Sequence, residues 1–159
     1  MLQKRIDLGS QPYGLAIAGE DIVKGSAVIV KLDSGVWTAF LPTTQAEADA
    51  VKGFATYRME DEFGADTAHD TILEGSRLVI YTLVKDNMWA TTQFDGTLVA
   101  GDELVVDYSE TVKGKLRKLT TTATTGEVAT GRAVQFVVYS AQSAGAGYTG
   151  AMVNVTVAK

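Results

Sequence analysis

Short apolar runs, each entered through a glycine, recur along this chain. Ile22-Val23-Lys24-Gly25-Ser26-Ala27-Val28-Ile29-Val30 is echoed by Ile72-Leu73-Glu74-Gly75-Ser76-Arg77-Leu78-Val79-Ile80, and again by Leu98-Val99-Ala100-Gly101-Asp102-Glu103-Leu104-Val105-Val106. Each copy is two apolar residues, a variable one, a glycine, a small or acidic residue and then a run of Val, Ile and Leu. Glycine reaches φ > 0 without steric cost, and a Ser or Asp beside it can bond to the local backbone. The apolar run after the turn suits a pleated, half-buried surface. The pattern predicts three tight turns, each delivering the chain into a β-strand.

The first and third copies also continue alike. After the first come Gly35-Val36-Trp37-Thr38-Ala39-Phe40 and then Gly53-Phe54-Ala55-Thr56-Tyr57. After the third come Gly114-Lys115-Leu116-Arg117-Lys118-Leu119 and then Gly131-Arg132-Ala133-Val134-Gln135-Phe136. The order glycine turn, strand, hairpin, strand, polar connector, Gly-x-Ala strand therefore occurs twice. Two readings of it stand: an internal duplication, or the chance recurrence of glycine before apolar runs in a β protein. The middle copy is shorter and reads as the edge where the halves meet.

Between these landmarks the pattern predicts strands over 15–18, 27–40 as a hairpin turning at Asp33-Ser34-Gly35, 53–59, 78–84, 88–94, 116–122, 128–139 and 152–157. One helix is expected. Thr44-Gln45-Ala46-Glu47 has the form of a capping box, Ala46, Ala48 and Ala50 favour helix, and Gly53 is placed to stop it after about eight residues. Residues 1–20 read as an arm. Gly9, Ser10, Gln11, Pro12 and Gly14 break regular structure, while Leu2, Ile6, Leu8, Tyr13, Leu15 and Ile17 supply more apolar surface than a solvated tail needs. A docking arm and a loose terminus are both compatible with this.

With 159 residues, 46% of them hydrophobic, the chain can bury a proper core as one domain or two small modules. A net charge of −5 speaks against nucleic acid, because neutralising phosphates needs a basic face, and no nucleic-acid partner is expected. The absence of cysteine removes disulfides, thiolate metal sites and a cysteine nucleophile. No apolar run approaches the roughly 18 residues that would cross a bilayer, and no signal-peptide core comes after Lys4 and Arg5. The expectation is a soluble, acidic β protein made in the cytosol.

Candidate chemistry is thin. Gly145-Ala146-Gly147-Tyr148-Thr149-Gly150 matches G-x-G-x-x-G, but a dinucleotide site needs a strand before it and a helix after it, and here a strand comes after; it reads as a loop. The single histidine, His69, lies near Asp66 and Asp70, with Glu60, Asp61 and Glu62 upstream, in a spacing that fits neither an EF-hand nor a zinc motif. A hydrolytic triad would need His69 as base, and neither Ser26 nor Ser76 sits in a nucleophile elbow. No enzyme, metal or cofactor is expected. Lys113, Lys115 and Arg117 form a basic cluster in an acidic chain, read either as a solvated strand face or as a patch for an acidic partner surface. Trp37, Trp89, Tyr57 and Tyr81 are expected in the core or on sheet faces, where such residues also anchor interfaces. Asn154-Val155-Thr156 has the glycosylation pattern, without a secretory signal to give it meaning.

Taken together, the N-terminal arm, Asp21-Ile22-Val23-Lys24-Gly25-Ser26-Ala27-Val28, the hairpin ending in Trp37-Thr38-Ala39, and Lys52-Gly53-Phe54-Ala55 resemble the small capsid decoration, or cement, proteins of tailed bacteriophages. The resemblance covers 15–60 best and, if the duplication is real, 95–139 again. It implies an all-β fold, mainly: two related β-barrel or β-tulip-like modules with one short helix and an N-terminal arm. The modules are expected over 21–94 and 95–159, after the arm at 1–20. It further implies a homo-oligomer, a trimer ahead of a dimer, bound to the major capsid protein on the outer surface of a virion. No catalytic residue is carried over. The partner-binding candidates are Leu2, Ile6, Leu8 and Tyr13 of the arm and Lys113, Lys115 and Arg117 of the basic cluster. The alternatives are a head-fibre or tail module that binds carbohydrate, or an enzyme accessory domain.

Overall fold

A computed structural model describes residues 2–6, 13–56, 70–120, 132–143 and 151–158, with side chains placed at 15–56, 70–120, 132–139 and 156–158. The chain is mainly β. Strands β1 (Leu2–Ile6), β2 (Tyr13–Ala18), β3 (Ile22–Val23), β4 (Ala27–Asp33) and β5 (Val36–Phe40) precede the helix α1 (Gln45–Asp49). Then come β6 (Gly53–Thr56), β7 (Thr71–Ile72), β8 (Arg77–Thr82), β9 (Met88–Thr91) and β10 (Phe94–Asp95). The last four are β11 (Glu103–Val106), β12 (Leu116–Lys118), β13 (Phe136–Ser143) and β14 (Ala151–Val157). A closed barrel runs β2-β5-β4-β6-β8, and a seven-stranded half-barrel sheet runs β1-β9-β14-β13-β11-β12-β10.

All three glycine turns lead into strands, and each is built in the same way. Gly25, Gly75 and Gly101 have φ of 87°, 79° and 89°, a conformation open mainly to glycine. The next N–H donates back across the turn: Ser26 to Val23, Ser76 to Leu73 and Asp102 to Val99. The glycine and its successor then face a single residue of a neighbouring strand. The Gly25 N–H donates to the Ala55 carbonyl and the Ala55 N–H to that of Ser26. Gly75–Ser76 does the same with Ala18, and Gly101–Asp102 with Val138. Two residues against one is a β-bulge, with the left-handed glycine as its first member. Two further copies carry the identical bond pattern: Val112-Lys113-Gly114-Lys115 against Asp107, and Val84-Lys85-Asp86-Asn87 against Val157. In the last, Asp86 holds the left-handed position at φ 67°.

The strand circuits repeat too. β2 runs parallel to β5, β5 antiparallel to β4, β4 to β6, β6 to β8 and β8 back to β2. In the second sheet β10 runs parallel to β12, β12 antiparallel to β11, β11 to β13, β13 to β14 and β14 to β9. Only Thr92 and Gln93 separate β9 from β10, so together they take the place of β2. Registers match: Val30–Ala39 corresponds to Val106–Leu116, Val28–Gly53 to Leu104–Phe136, and Gly14–Ile80 to Trp89–Val155. The middle glycine copy leads into the last strand of the first circuit. Its strand β8 closes the first barrel, whose strands span 13–82, and β9 begins the second sheet.

Inward positions differ in size between the two circuits. A five-stranded barrel is narrow, and the first is filled by Ala16, Ala18, Val28, Ala39, Ala55, Leu78 and Ile80, with Ile22 and Ile72 of the β3–β7 pair buried at one end. Gly53 is required there, because a Cβ would lie 2.2 Å from the Tyr81 carbonyl oxygen. That close approach, not helix termination, is the role of this glycine. The second interior holds Trp89, Leu104, Val106, Leu116, Phe136 and Val138, and it is completed by Ala27, Ala48 and Phe54 from the outside of the first barrel. The Phe54 ring lies 6.0 Å from Trp89, edge-on, and 5.5 Å from Phe136.

The helix spans five residues, shorter than expected, and ends at Ala50, whose N–H bonds to the Glu47 carbonyl. Thr44 does cap it, its hydroxyl accepting from the Glu47 N–H at 3.3 Å. The Glu47 carboxylate turns instead to Thr43, accepting from its N–H and its hydroxyl. The helix is fixed to the second sheet by two buried side chains. Arg132 donates to Asp49 and to the Val106 carbonyl, while Gln135 donates to the Ala48 carbonyl and accepts from the Val106 N–H. β13 starts at Phe136, within the run predicted over 128–139, and residues 128–131 lie outside the described residues. The Gln135 backbone already bonds to both neighbouring strands, its N–H donating to the Leu104 carbonyl and its carbonyl accepting from the Ala158 N–H. The segment expected as an arm supplies β1, paired with β9, and β2, which closes the barrel.

Candidate docking surface at the mouth of the first barrel

The hairpin β4–β5 is longer than the barrel it belongs to. β6 pairs with β4 only at Ala27 and Val28, whereas the hairpin ladder continues to Asp33–Val36. Its two-residue loop, Ser34-Gly35, has φ of 48° and 83°, the left-handed pair that matches strand twist in a tight hairpin. The projecting tip carries Leu32 and Trp37 directly opposite each other on the inward face, and Val36 on the other. Leu32 is 61% exposed, Trp37 58% and Val36 49%. Trp37 lines a cavity of about 350 Å³ at this end of the barrel, together with Leu15, Val30, Lys52, Ile80 and Thr82.

A second cavity of about 370 Å³ lies on the other side of Trp37, between Leu15–Ile17 and Gly35–Trp37, with Arg77 at its rim. It exists because the β2–β5 ladder stops at Ile17–Thr38 and the strands part beyond it. On the second sheet the corresponding edge of β9 is covered by β1. Lys52 and Arg77 flank this apolar patch, and neither has an ion pair among the described residues.

The basic cluster is placed quite differently. Lys113 pairs with Glu20 at 2.9 Å, and that hydrogen bond raises its pKa. Arg117 lies between Asp95 at 2.8 Å and the buried Asp107 at 3.0 Å. Lys118 pairs with Asp102 at 2.6 Å and, with the Val99 N–H, holds that carboxyl below its ordinary value. Lys115 is half-buried in the fifth turn. The alternation was legible, since Leu116 enters the core, but the charges are largely met within the chain. Among the arm candidates, Leu2 and Ile6 lie in β1 and Tyr13 opens β2 opposite Tyr81, while Leu8 lies outside the described residues.

Ser26 and Ser76 are the second residues of their bulges and serve the backbone there. His69, the acidic tract 60–62, Asp66, Tyr57 and the glycine-rich stretch 145–150 lie outside the described residues. No group of three or more His, Asp or Glu able to share a metal ion occurs among the described residues. Trp89 is core and Tyr81 packs on it at 5.3 Å. Trp37 takes the other expected setting, an exposed sheet face, and its position in the hairpin, one β-turn from Leu32, is the sequence signal that marks it. Neither a scan against protein-family models nor a search of curated proteins finds a match to this sequence.

Proposed function

We propose that the chain is a non-enzymatic structural protein that binds the outer surface of a viral capsid, as a homo-oligomer, and stabilises it. The observation that carries a binding role is the projecting tip. Leu32 and Trp37 lie exposed side by side on the hairpin, with Val36 exposed on its other face, beside a cavity at the barrel end, and grouped apolar exposure of this kind marks interaction sites. The capsid as partner comes from the resemblance of 15–60 to decoration proteins, whose expected β modules agree with the mainly β, barrel-containing fold. Many modest contacts repeated over a shell add up through multivalency.

Co-sedimentation with assembled shells of the major capsid protein tests this reading. The chain is expected in the pellet, with a raised shell melting temperature. A chain that stays in the supernatant at every shell concentration overturns it. Trp37 beside a cavity also favours the carbohydrate-binding alternative, since sugar rings stack on exposed indoles; a change in Trp37 fluorescence on adding oligosaccharides, absent with shells, would select it.

A further inference from the structure

The two circuits are equivalent in topology and register but not in what covers them. The mouth of the second is defined by Trp89, Phe136 and Val106, the counterparts of Gly14, Gly53 and Val30. It is plugged by the first barrel, through an outward cross-strand row Ala27–Phe54–Tyr81 on β4, β6 and β8. Its hairpin tip is docked as well. Gly114 accepts from the Ala27 N–H, Lys113 pairs with Glu20, and a Cβ at Gly114 would lie 2.6 Å from Leu41. In the first barrel the positions equivalent to Lys113 and Gly114 are Val36 and Trp37, and they are exposed.

The equivalent surface on the second sheet is exposed in part among the described residues. The row equivalent to Ala27–Phe54–Tyr81 is Glu103–Val137–Thr156 on β11, β13 and β14. Next to it Tyr139 is 65% exposed on β13, and Val99, at the third glycine turn, is 57% exposed. Glu103 is exposed where Ala27 is buried, and Lys52 and Arg77, of opposite charge to it, line the two cavities on either side of Trp37.

We propose that a second copy of this chain docks head to tail, its Glu103–Val137–Thr156 row and Tyr139 covering the open mouth and the Trp37 tip of the first. The interface repeats between copies the one that already joins the two halves within a copy. Its occupant is named by that repetition and by the match of Glu103 to Lys52 and Arg77. Such a contact uses two different surfaces and so is heterologous, closing into a ring or growing into a filament. It assigns to a second copy the tip that carries the binding role above, and it is measured without shells, so its failure is distinguishable from that of the capsid reading.

Sedimentation of the purified chain alone, with Trp37→Glu and Tyr139→Glu, tests it. Both side chains are more than half exposed, so both variants should keep the parent's circular dichroism melt; Leu32→Glu serves as a second mouth variant if Trp37→Glu does not. The parent is expected to be oligomeric and each variant monomeric. An equal mixture of the two should form a dimer and nothing larger, since it retains one intact mouth and one intact Tyr139 face per pair. A parent that remains monomeric at high micromolar concentration overturns the proposal. So does a mixture of folded variants that stays monomeric, or a Trp37→Glu variant as oligomeric as the parent.

Discussion

At the level of single residues, the ionised side chains act mainly as local fasteners. Lys31 donates to Glu47, and with Thr43 it lowers that carboxyl from 4.5 to about 2. Lys118 does the same in direction for Asp102. A carboxyl whose folded pKa lies below its unfolded value contributes stability that is present above the unfolded value and lost as pH falls toward the folded one. The chain should therefore lose stability progressively from about pH 4.5 down to about 2 through Glu47. Lys31→Met should flatten that limb modestly, because Lys31 is half exposed and the pair is screened by water. Urea melts over a pH series read this out. If parent and variant differ by the same amount at neutral pH and at the foot of the acid limb, Lys31 is not what depresses Glu47. The sequence showed Thr44 and Glu47 as a capping pair, yet it could not show that the carboxylate prefers Thr43 and Lys31. Lys31 is 16 residues away, and only the β4–β5 hairpin brings it there.

Elements were legible where a residue type has one conformational use. Glycine before an apolar run marks a left-handed turn position, so the turns at Gly25, Gly75 and Gly101 can be read from spacing alone. The copy at Val84–Asn87 is hidden because aspartate stands where glycine is expected, and that at Val112–Lys115 because Gly114 reads as the return of a hairpin. The helix boundary failed because Gly53, placed to stop it, is needed instead for the close approach of the Tyr81 carbonyl, and the helix ends earlier, at Asp49. The five turns allow a controlled comparison. A Cβ at Gly75 meets nothing within 4 Å, so Gly75→Ala should cost about 1–2 kcal/mol from backbone strain alone. Asp86→Gly should act in the opposite sense, relieving strain at φ 67° and raising stability by about 0.5 kcal/mol. Denaturant midpoints of both variants decide this. An Asp86→Gly protein less stable than the parent would mean that the aspartate side chain, not its backbone, matters at that turn.

For the molecule as a whole, the repeat in the sequence correctly suggested two related β modules, but the way they are joined depends on size differences no pattern displays. Gly14 and Gly53 face the interior of one circuit where Trp89 and Phe136 face that of the other, and Phe54, on the outside of its own barrel, completes its neighbour's core. The closed barrel has an interior of its own, but the half-barrel sheet completes its core only with Phe54 and Ala27 of that barrel and Ala48 of the helix, so it has no separate core to melt alone. The intact chain should therefore unfold in a single transition, with Trp89 fluorescence, isolated by Trp37→Phe, superimposing on far-ultraviolet circular dichroism. Phe54→Ala removes the ring that touches both Trp89 and Phe136, and should cost about 3–5 kcal/mol. It should also uncouple the halves, so that the Trp89 signal is lost at lower denaturant than the dichroism of the first barrel. Ile80→Ala, which opens a cavity inside the first barrel only, should lower stability while leaving the two curves superimposed. Parent curves that already diverge would show that the barrels fold independently and that Phe54 merely fills the space between them.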